Sequence, residues 1–435
     1  MMRSLFGVVL VFMLGACGPS GPGGGGGTGW SQNASGEDGS VLTGDGSTVQ
    51  PDAYQGPMVT LQGTVWGPGK LFPVSGAVVA AYTRMPDPIP DQVYCDACAE
   101  PGVAHVMSAP DGSFELQLMP GYHYYLAVQK GQFRRVREYD APGGGGTILL
   151  PDDYTTLPSR TDLANGDTIP KIALATGSYD KMEDIFGKVG MGSVDSNGEF
   201  NWGSENGVFD VYYNGGHQVA QDFNDLIHDL DRLKQYHIVF VPCSDSGADY
   251  YNDTVQENIR QYVWDGGKWY VADWSEEFIE NVWPEFIQYG NCDNDESDCD
   301  SFDEYTTPGH AVDQDLADWL QGHGIDPNNL SLEENWDAIA STDSGFVGYD
   351  DELGTGPNHE MYMPPKVWVE GSDVPSYGTS PLTVSWPYNC GRVVYTTYHS
   401  VGSMGSGHSG LLPQEEILFY LVMEIGICQD TPIVK

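Results

Sequence analysis

Tyr236-His237-Ile238-Val239-Phe240-Val241, then Asn258-Ile259-Arg260-Gln261-Tyr262-Val263-Trp264-Asp265-Gly266-Gly267, then Trp269-Tyr270-Val271-Ala272: this succession decides the fold of most of the chain. The first and last pieces are apolar strands. Residues 254–264 between them read as a helix, and the glycine pair after it is a helix-ending signal. Working upstream, residues 171–176 form a largely apolar run, as a buried parallel strand requires. Met182, Ile185, Phe186 and Val189 follow at helical spacing. Residues 209–213 read as another strand, and Phe223, Leu226, Ile227 and Leu230 lie on one face of a helix over 223–233. Downstream come a helix over 275–282, a strand over 392–398 and an amphipathic helix over 413–425. Alternating strand and helix of this kind predicts an α/β unit, a doubly wound, mostly parallel sheet, over residues 165–435. From Cys292 to about Ser380 the regularity is lost, so residues 290–380 read as an acidic, Gly- and Pro-rich insertion.

Residues 57–151 carry a different pattern. Short strands over 59–66, 77–82, 114–118, 122–128 and 147–149 are separated by turn signals such as Asp111-Gly112 and Pro120-Gly121. No helical period interrupts them, which predicts a β-sandwich and makes the chain multidomain. The set Gly63-Thr64-Val65, Val74-Ser75-Gly76-Ala77-Val78-Val79, Ser108-Ala109-Pro110-Asp111-Gly112-Ser113-Phe114 and Leu118-Met119-Pro120-Gly121-Tyr122 resembles carboxypeptidase regulatory-like (transthyretin-like) domains. The resemblance implies a non-catalytic spacer or adhesion module, with an insertion over 85–106 that the family lacks.

The first residues read as a secretory signal: Arg3, an apolar run from Leu5 to Leu14, then Gly15-Ala16-Cys17. The run is shorter than the ~20 residues that span a bilayer. Leu14-Gly15-Ala16-Cys17 resembles the lipobox of bacterial lipoproteins. That implies cleavage after residue 16, lipidation of Cys17 and membrane attachment through the acyl chains. Gly18, in place of a retaining aspartate, points to the outer membrane of the cell envelope. Residues 17–56, rich in Gly, Ser, Asn and Asp, read as a flexible tether.

Composition agrees with life outside the cytoplasm. Lys+Arg number 18 against 62 Asp+Glu, a formal net charge of −44, which repels phosphate backbones and excludes nucleic acid as a partner. Eight cysteines include Cys17. The others are Cys95, Cys98, Cys243, Cys292, Cys299, Cys390 and Cys428, an odd number that leaves one thiol over or pairs chains. In an oxidising compartment disulfides are expected. The spacings make Cys95–Cys98 and Cys292–Cys299 the local disulfide candidates, with Cys390 and Cys428 also available. Redox or zinc chemistry at Cys95-Asp96-Ala97-Cys98 is the other reading of that pair.

The ordered set of Tyr236 to Val241, Asn258 to Gly267 and Gly391-Arg392-Val393-Val394-Tyr395-Thr396-Thr397-Tyr398-His399 resembles the class I glutamine amidotransferase-like superfold, in its ThuA-like and related branches. The resemblance implies a nucleophilic cysteine at the sharp turn after the double-glycine strand. Here that turn is Val271-Ala272-Asp273-Trp274-Ser275, with no cysteine, and His399 is followed by Ser400 and Val401 instead of the family's His-x-Glu. Amidotransfer by a Cys–His pair is therefore not expected. Asp273, Ser275 and Glu276 would lie beyond the strand ends, where open α/β sheets bind ligands. Cys243 and His399 would lie at the ends of neighbouring strands. Asp273, His399 and Cys243 are the catalytic candidates. The structural reading weighs more: Cys243 buried or disulfide-bonded, Asp273 capping the next helix, His399 hydrogen-bonded in a remnant crevice.

Asp293, Asp295, Asp298, Asp300 and Glu304 crowd the segment around Cys292 and Cys299. Calcium takes oxygen ligands from flexible loops of this kind. The segment lacks the central glycine and flanking helices of an EF-hand, and thrombospondin type 3 repeats are a looser comparison. A solvated acidic loop is the simpler reading. No cofactor is expected, calcium being the one open possibility. The sequence thus points to a lipid-anchored envelope protein with a binding or structural role, its partners an envelope protein, a glycan or a peptide. A ThuA-like hydrolase acting on carbohydrate is the alternative, with Asp273 and His399 as acid and base, and a calcium-dependent adhesin is a second.

Overall fold

The apolar runs at 238–241 and 268–272 become strands whose residues alternate between two covered faces. In Ile238–Val241, Ile238 and Phe240 enter one apolar cluster while Val239 and Val241 enter another. In Lys268–Ala272, Tyr270 and Ala272 face the first cluster, Trp269 and Val271 the second. Period-two side chains on a sheet covered on both sides produce this split, and it is why these strands read as continuous apolar runs. The computed structural model describes residues 41–42, 48–49, 56–95, 102–202, 208–245, 249, 252–290, 304–349, 360–401 and 410–424.

The main sheet has nine strands in the order Asp210–Tyr213, Ile172–Thr176, Ile238–Val241, Lys268–Ala272, Gly391–Thr396, Gly378–Tyr388, Lys366–Val374, Tyr305–Ala311 and Leu330–Asn335. The first five run parallel. The last four add antiparallel. Among its described residues, the segment expected to be irregular is therefore largely strand. It also contributes the helix Gln314–Gly322, the strand Ile339–Thr342 that pairs with Ile287–Tyr289 just before it, and the strand pair Gly345–Tyr349 with Glu360–Met363. The parallel expectation holds for one half of the sheet alone.

Local chemistry set the other differences. The helix expected over 223–233 breaks into Phe223–Ile227 and Leu230–Leu233. Asp229 starts the second by accepting the Arg232 N–H at 3.1 Å. Pro413–Glu424 forms as a helix, yet it is not amphipathic: its described side chains from Gln414 to Glu424 are buried. Both of its sides are covered, one by the N-terminal strands.

Those strands make two sheets. Ser113–Leu118, Val59–Thr64 and Gly146–Leu149 form one; Asp167–Thr168, Phe133–Asp140, His123–Lys130, Val78–Tyr82 and Ala104–Met107 form the other. Their inner residues, among them Val59, Leu61, Val79, Leu116 and Leu126, share one apolar cluster with Phe419, Trp319 and Phe240 of the α/β part. Phe72 packs edge-on against Trp319 and Phe419, with ring centroids 5.3 and 5.2 Å away. Polar ties cross the same seam. Lys130 Nζ lies 2.9 Å from Glu424, and His323 bridges the Pro73 carbonyl (3.1 Å) and Glu416 (2.7 Å). Beside them Lys188 meets Glu415 at 2.6 Å, both fully or almost fully buried.

The disulfide expectation is corrected here. Cys95 does not pair with Cys98 but with Cys390, Cα atoms 4.9 Å apart. The segment before Cys95 leaves its own sheet and runs beneath the parallel strands. Pro90 offers its carbonyl to His237 Nε2 at 2.8 Å, and the Val93 N–H donates to the Lys234 carbonyl at 2.9 Å. Gly266, at φ +115°, lets the Tyr94 carbonyl pass, since a Cβ there would sit 2.0 Å from that oxygen. Cys95 is thereby delivered to the turn between Gly378–Tyr388 and Gly391–Thr396, where Cys390 lies. Cys17, Cys98, Cys292, Cys299 and Cys428 lie outside the described residues, as do the signal segment and most of the tether. Among the described residues no helix is long and apolar enough to cross a membrane.

Candidate functional site

Asp273 stands directly after the Lys268–Ala272 strand, at the sharp turn into the next helical residues, with φ +47°. Left-handed backbone at a non-glycine residue costs roughly 1–3 kcal/mol and persists only where its surroundings enforce it. Asp273 is 0 % exposed and does not cap a helix, contrary to expectation. Its Oδ1 accepts the Trp336 N–H at 3.0 Å and its Oδ2 faces His399 Nε2 at 3.0 Å.

His399 follows the Gly391–Thr396 strand and is 2 % exposed. Its Nδ1 lies 2.8 Å from Glu334 Oε2, and its backbone N–H donates to the Glu334 carbonyl at 3.1 Å. Glu334 is also left-handed, at φ +56°. Cys243, free and fully buried just past the Ile238–Val241 strand, completes the group. One ligand-type atom from each of Cys243, Asp273 and His399 lies within 4.8 Å of the others. Although the ring nitrogens sit at ion-pair distance from two carboxylates, neither N–H points along a hydrogen-bond line. Asp273 Oδ2 and both nitrogens of His399 have no directed partner.

Further acids surround this core. Asp180 accepts the N–H groups of Ser400 (2.8 Å) and Val401 (3.2 Å), holding the chain just after His399. Glu276 and Asp337 are fully buried against each other. Burial pushes both carboxyls well above the usual range, and neighbouring negative charge adds to it. Burial also raises Asp180 and Asp273. For His399 burial works downward, but Asp273, Cys243 and Glu334 outweigh it and hold the imidazole protonated above its ordinary range. Burial, then the Asp273 charge, pushes the Cys243 thiol up, the opposite of what an activated thiolate needs.

Three aromatic residues adjoin the acids along the chain. Tyr179 precedes Asp180, Trp274 follows Asp273, and Trp336 precedes Asp337. Each ring is half-buried where its acidic neighbour is buried. Trp274 stacks on Trp336 at 6.3 Å with planes 11° apart, and leans on Tyr179 at 5.8 Å.

The structure thus brings together Asp273, His399 and Cys243, with Glu276 one turn beyond. Ser275 is buried and donates to the Pro242 carbonyl at 2.9 Å, a structural contact. Asp293, Asp295, Asp298 and Asp300 lie outside the described residues, and Glu304 is exposed at their edge. Glu334 was not among the residues singled out from sequence. It belongs to the acidic run Glu333-Glu334-Asn335-Trp336-Asp337 inside the segment read as irregular, and no spacing marks it.

No family model matches the chain, and no curated protein matches it. The solved structures it is similar to include a ThuA-like protein from Bacteroides uniformis, at 12% identity and TM-score 0.32, over 58% of this chain and 90% of that one. They also include a cytoplasmic protein from Salmonella typhimurium, at 12% identity and TM-score 0.33, over 59% of this chain and 99% of that one. A β-galactosidase from Rahnella sp. R3 is similar at 12% identity and TM-score 0.31, over 63% of this chain; this chain spans 34% of that enzyme.

Proposed function

We propose that the chain is a lipid-anchored envelope protein, held through Cys17, whose α/β unit binds an extracytoplasmic ligand, with a glycan as the best match. The observation that carries this reading is the half-buried cluster of Tyr179, Trp274 and Trp336, stacked on one another and each next in the chain to an acid with 0–3 % exposure. Half-exposed aromatic faces offer the apolar surface and electron-rich face on which sugar rings stack. The acid and base groups nearby are buried, so binding is favoured over turnover. The net charge of −44 speaks against phosphate-rich partners. The test is a titration of the detergent-solubilised chain with soluble peptidoglycan fragments and neutral oligosaccharides, read by tryptophan fluorescence. Saturable quenching that is lost in Trp274→Ala and Trp336→Ala supports the reading. No response to either ligand class refutes the glycan.

A ThuA-like hydrolase is the second reading, and one observation favours it: Asp273 occupies a strained strand-to-helix turn with His399 and Glu334 in line behind it. Such strain clusters at active sites. Release of nitrophenol from nitrophenyl glycosides by the wild-type chain, abolished in Asp273→Asn, would establish hydrolysis. Equal background rates in both would exclude it for those substrates.

A further inference from the structure

We propose that Cys243, Asp273 and His399 form a mononuclear site for a divalent transition metal of the zinc class. The inference stands apart from the binding role above, because it concerns the buried atoms and not the aromatic cluster.

The donor set is the first argument. A thiol, an imidazole and a carboxylate are the three side chains zinc prefers, and three protein ligands leave a fourth position for water or another oxygen. The geometry is the second. Bond lengths of ~2.0–2.3 Å in a tetrahedron put ligand atoms about 3.3–3.6 Å apart. Asp273 Oδ2 and His399 Nε2 are already 3.0 Å apart, and all three donors lie within 4.8 Å of one another. Small movements suffice to admit an ion between them.

The third argument is the unmet demand of the same atoms. Asp273 Oδ2 and His399 Nε2 are buried without a directed hydrogen bond, a costly condition that a metal would relieve. The fourth is the partner of His399. Metal-ligating histidines ordinarily place the other ring nitrogen on a carboxylate, which fixes the ring and raises its basicity. Glu334 Oε2, at 2.8 Å from Nδ1, is placed for that role. Finally, among the described residues no lysine or arginine pairs with Asp180, Asp273, Glu276 or Asp337; His399 is the one base in ion-pair contact with the group. Metal ligands bind in their deprotonated forms, so a dication entering here would displace protons and meet the Asp273 carboxylate and the Cys243 thiolate with no lysine or arginine competing for them.

The experiment loads the purified full chain with Co²⁺, a spectroscopic stand-in for Zn²⁺. Far-UV circular dichroism is recorded on every variant. The expected result is one equivalent of tightly held cobalt with a near-ultraviolet sulfur-to-cobalt charge-transfer band, displaced by Zn²⁺. Cys243→Ser removes the band, and Asp273→Asn weakens binding at least tenfold. Glu334→Gln leaves the band in place but weakens affinity roughly 10–100-fold. These outcomes support the site. A folded wild-type chain that shows no cobalt–thiolate band overturns it. So does a band that survives in Cys243→Ser, which would place the metal on another cysteine. If Cys243→Ser does not fold, the near-isosteric Asp273→Asn decides: unchanged affinity there rejects the assignment.

Discussion

Breaking the Cys95–Cys390 disulfide tests the architecture most directly. The bond closes a loop of 295 residues, joining the segment that leaves the N-terminal sheets to the turn at the end of the main sheet. On the chain-entropy account a loop of that length restricts the unfolded ensemble by about 5–6 kcal/mol at 25 °C. Measured values commonly fall short of the entropic figure, so the expected loss in Cys95→Ser/Cys390→Ser is roughly 3–6 kcal/mol. That is a large share of the ~5–15 kcal/mol that holds a typical native state. The native fold itself should survive. Pro90 with His237, Val93 with Lys234 and the Phe72 ring packing all remain to hold the two parts together.

The assay is equilibrium guanidinium unfolding in non-reducing buffer, followed by both tryptophan fluorescence and circular dichroism. Cys98→Ser serves as the control and should leave the midpoint unchanged. A loss below about 1 kcal/mol in the double variant would refute the reasoning. So would peptide mapping that recovers Cys95 joined to Cys98.

Three further outcomes follow from buried ionisable groups. Lys188→Met removes the cation facing the Glu415 carboxylate, whose side chain is 0 % exposed and still accepts the Leu412 N–H, and should cost about 3–5 kcal/mol, whereas Lys188→Met/Glu415→Gln should recover part of it; a double-mutant cycle by urea unfolding checks the coupling. Burial, chiefly, lowers His237 from 6.5 to about 4, and the neutral ring accepts the Lys171 N–H while meeting the Pro90 carbonyl. Because the unfolded chain binds that proton first, this stability is complete above pH 6.5 and lost as pH falls towards 4. It amounts to about 3 kcal/mol, and His237→Asn should flatten that limb of the pH–stability curve. Burial likewise raises Glu183 from 4.5 to about 8, so here the folded state holds the proton and stability falls as pH rises between those values. Glu183→Gln should therefore stabilise the chain at pH 9 by up to about 5 kcal/mol and have little effect at pH 4, measured by thermal unfolding at both.

The parallel half of the main sheet was legible because a strand buried on both faces has no polar positions to hide it. Ile238-Val239-Phe240-Val241 and Trp269-Tyr270-Val271-Ala272 announce themselves. The antiparallel half was not. Tyr305–Ala311 contains Pro308 and Gly309, Lys366–Val374 contains Gly371 and Asp373, and Gly378–Tyr388 contains Pro381 and Pro387. Proline and glycine ordinarily mark turns, and here several fall near breaks in register. The final helix was placed correctly along the chain but misread as amphipathic. Its glutamates are buried because Lys188, His323 and Lys130 lie against them, contacts that sequence periodicity does not register. Asp273, His399 and Cys243 could be singled out because each ends a recognisable strand. Glu334 could not, since the strand that holds it, Leu330–Asn335, is not marked in the sequence. The partner of Cys95 was beyond reach for the reason that spacing never fixes connectivity.

The position of that last helix changes what the N-terminal sheets are for. Gln414, at its start, donates to the His399 carbonyl at 2.6 Å and accepts the Glu333 N–H at 3.2 Å. One side chain thus clamps both strands that bring His399 and Glu334 together. At its far end Glu424 is held by Lys130, which belongs to the N-terminal sheets, and Phe419 in the middle packs on Phe72 of the same unit. A spacer would touch the α/β unit at a hinge and leave its core intact if removed. Here the N-terminal sheets cover one side of the helix that fixes the site, and without them Glu424 would lose its cation and the apolar face its cover. Two left-handed acids at +47° and +56° need a rigid surround to persist, and that surround runs from the imidazole through Gln414 to Lys130. The first unit is on this geometry a structural part of the site, connected to it by packing as well as by the chain.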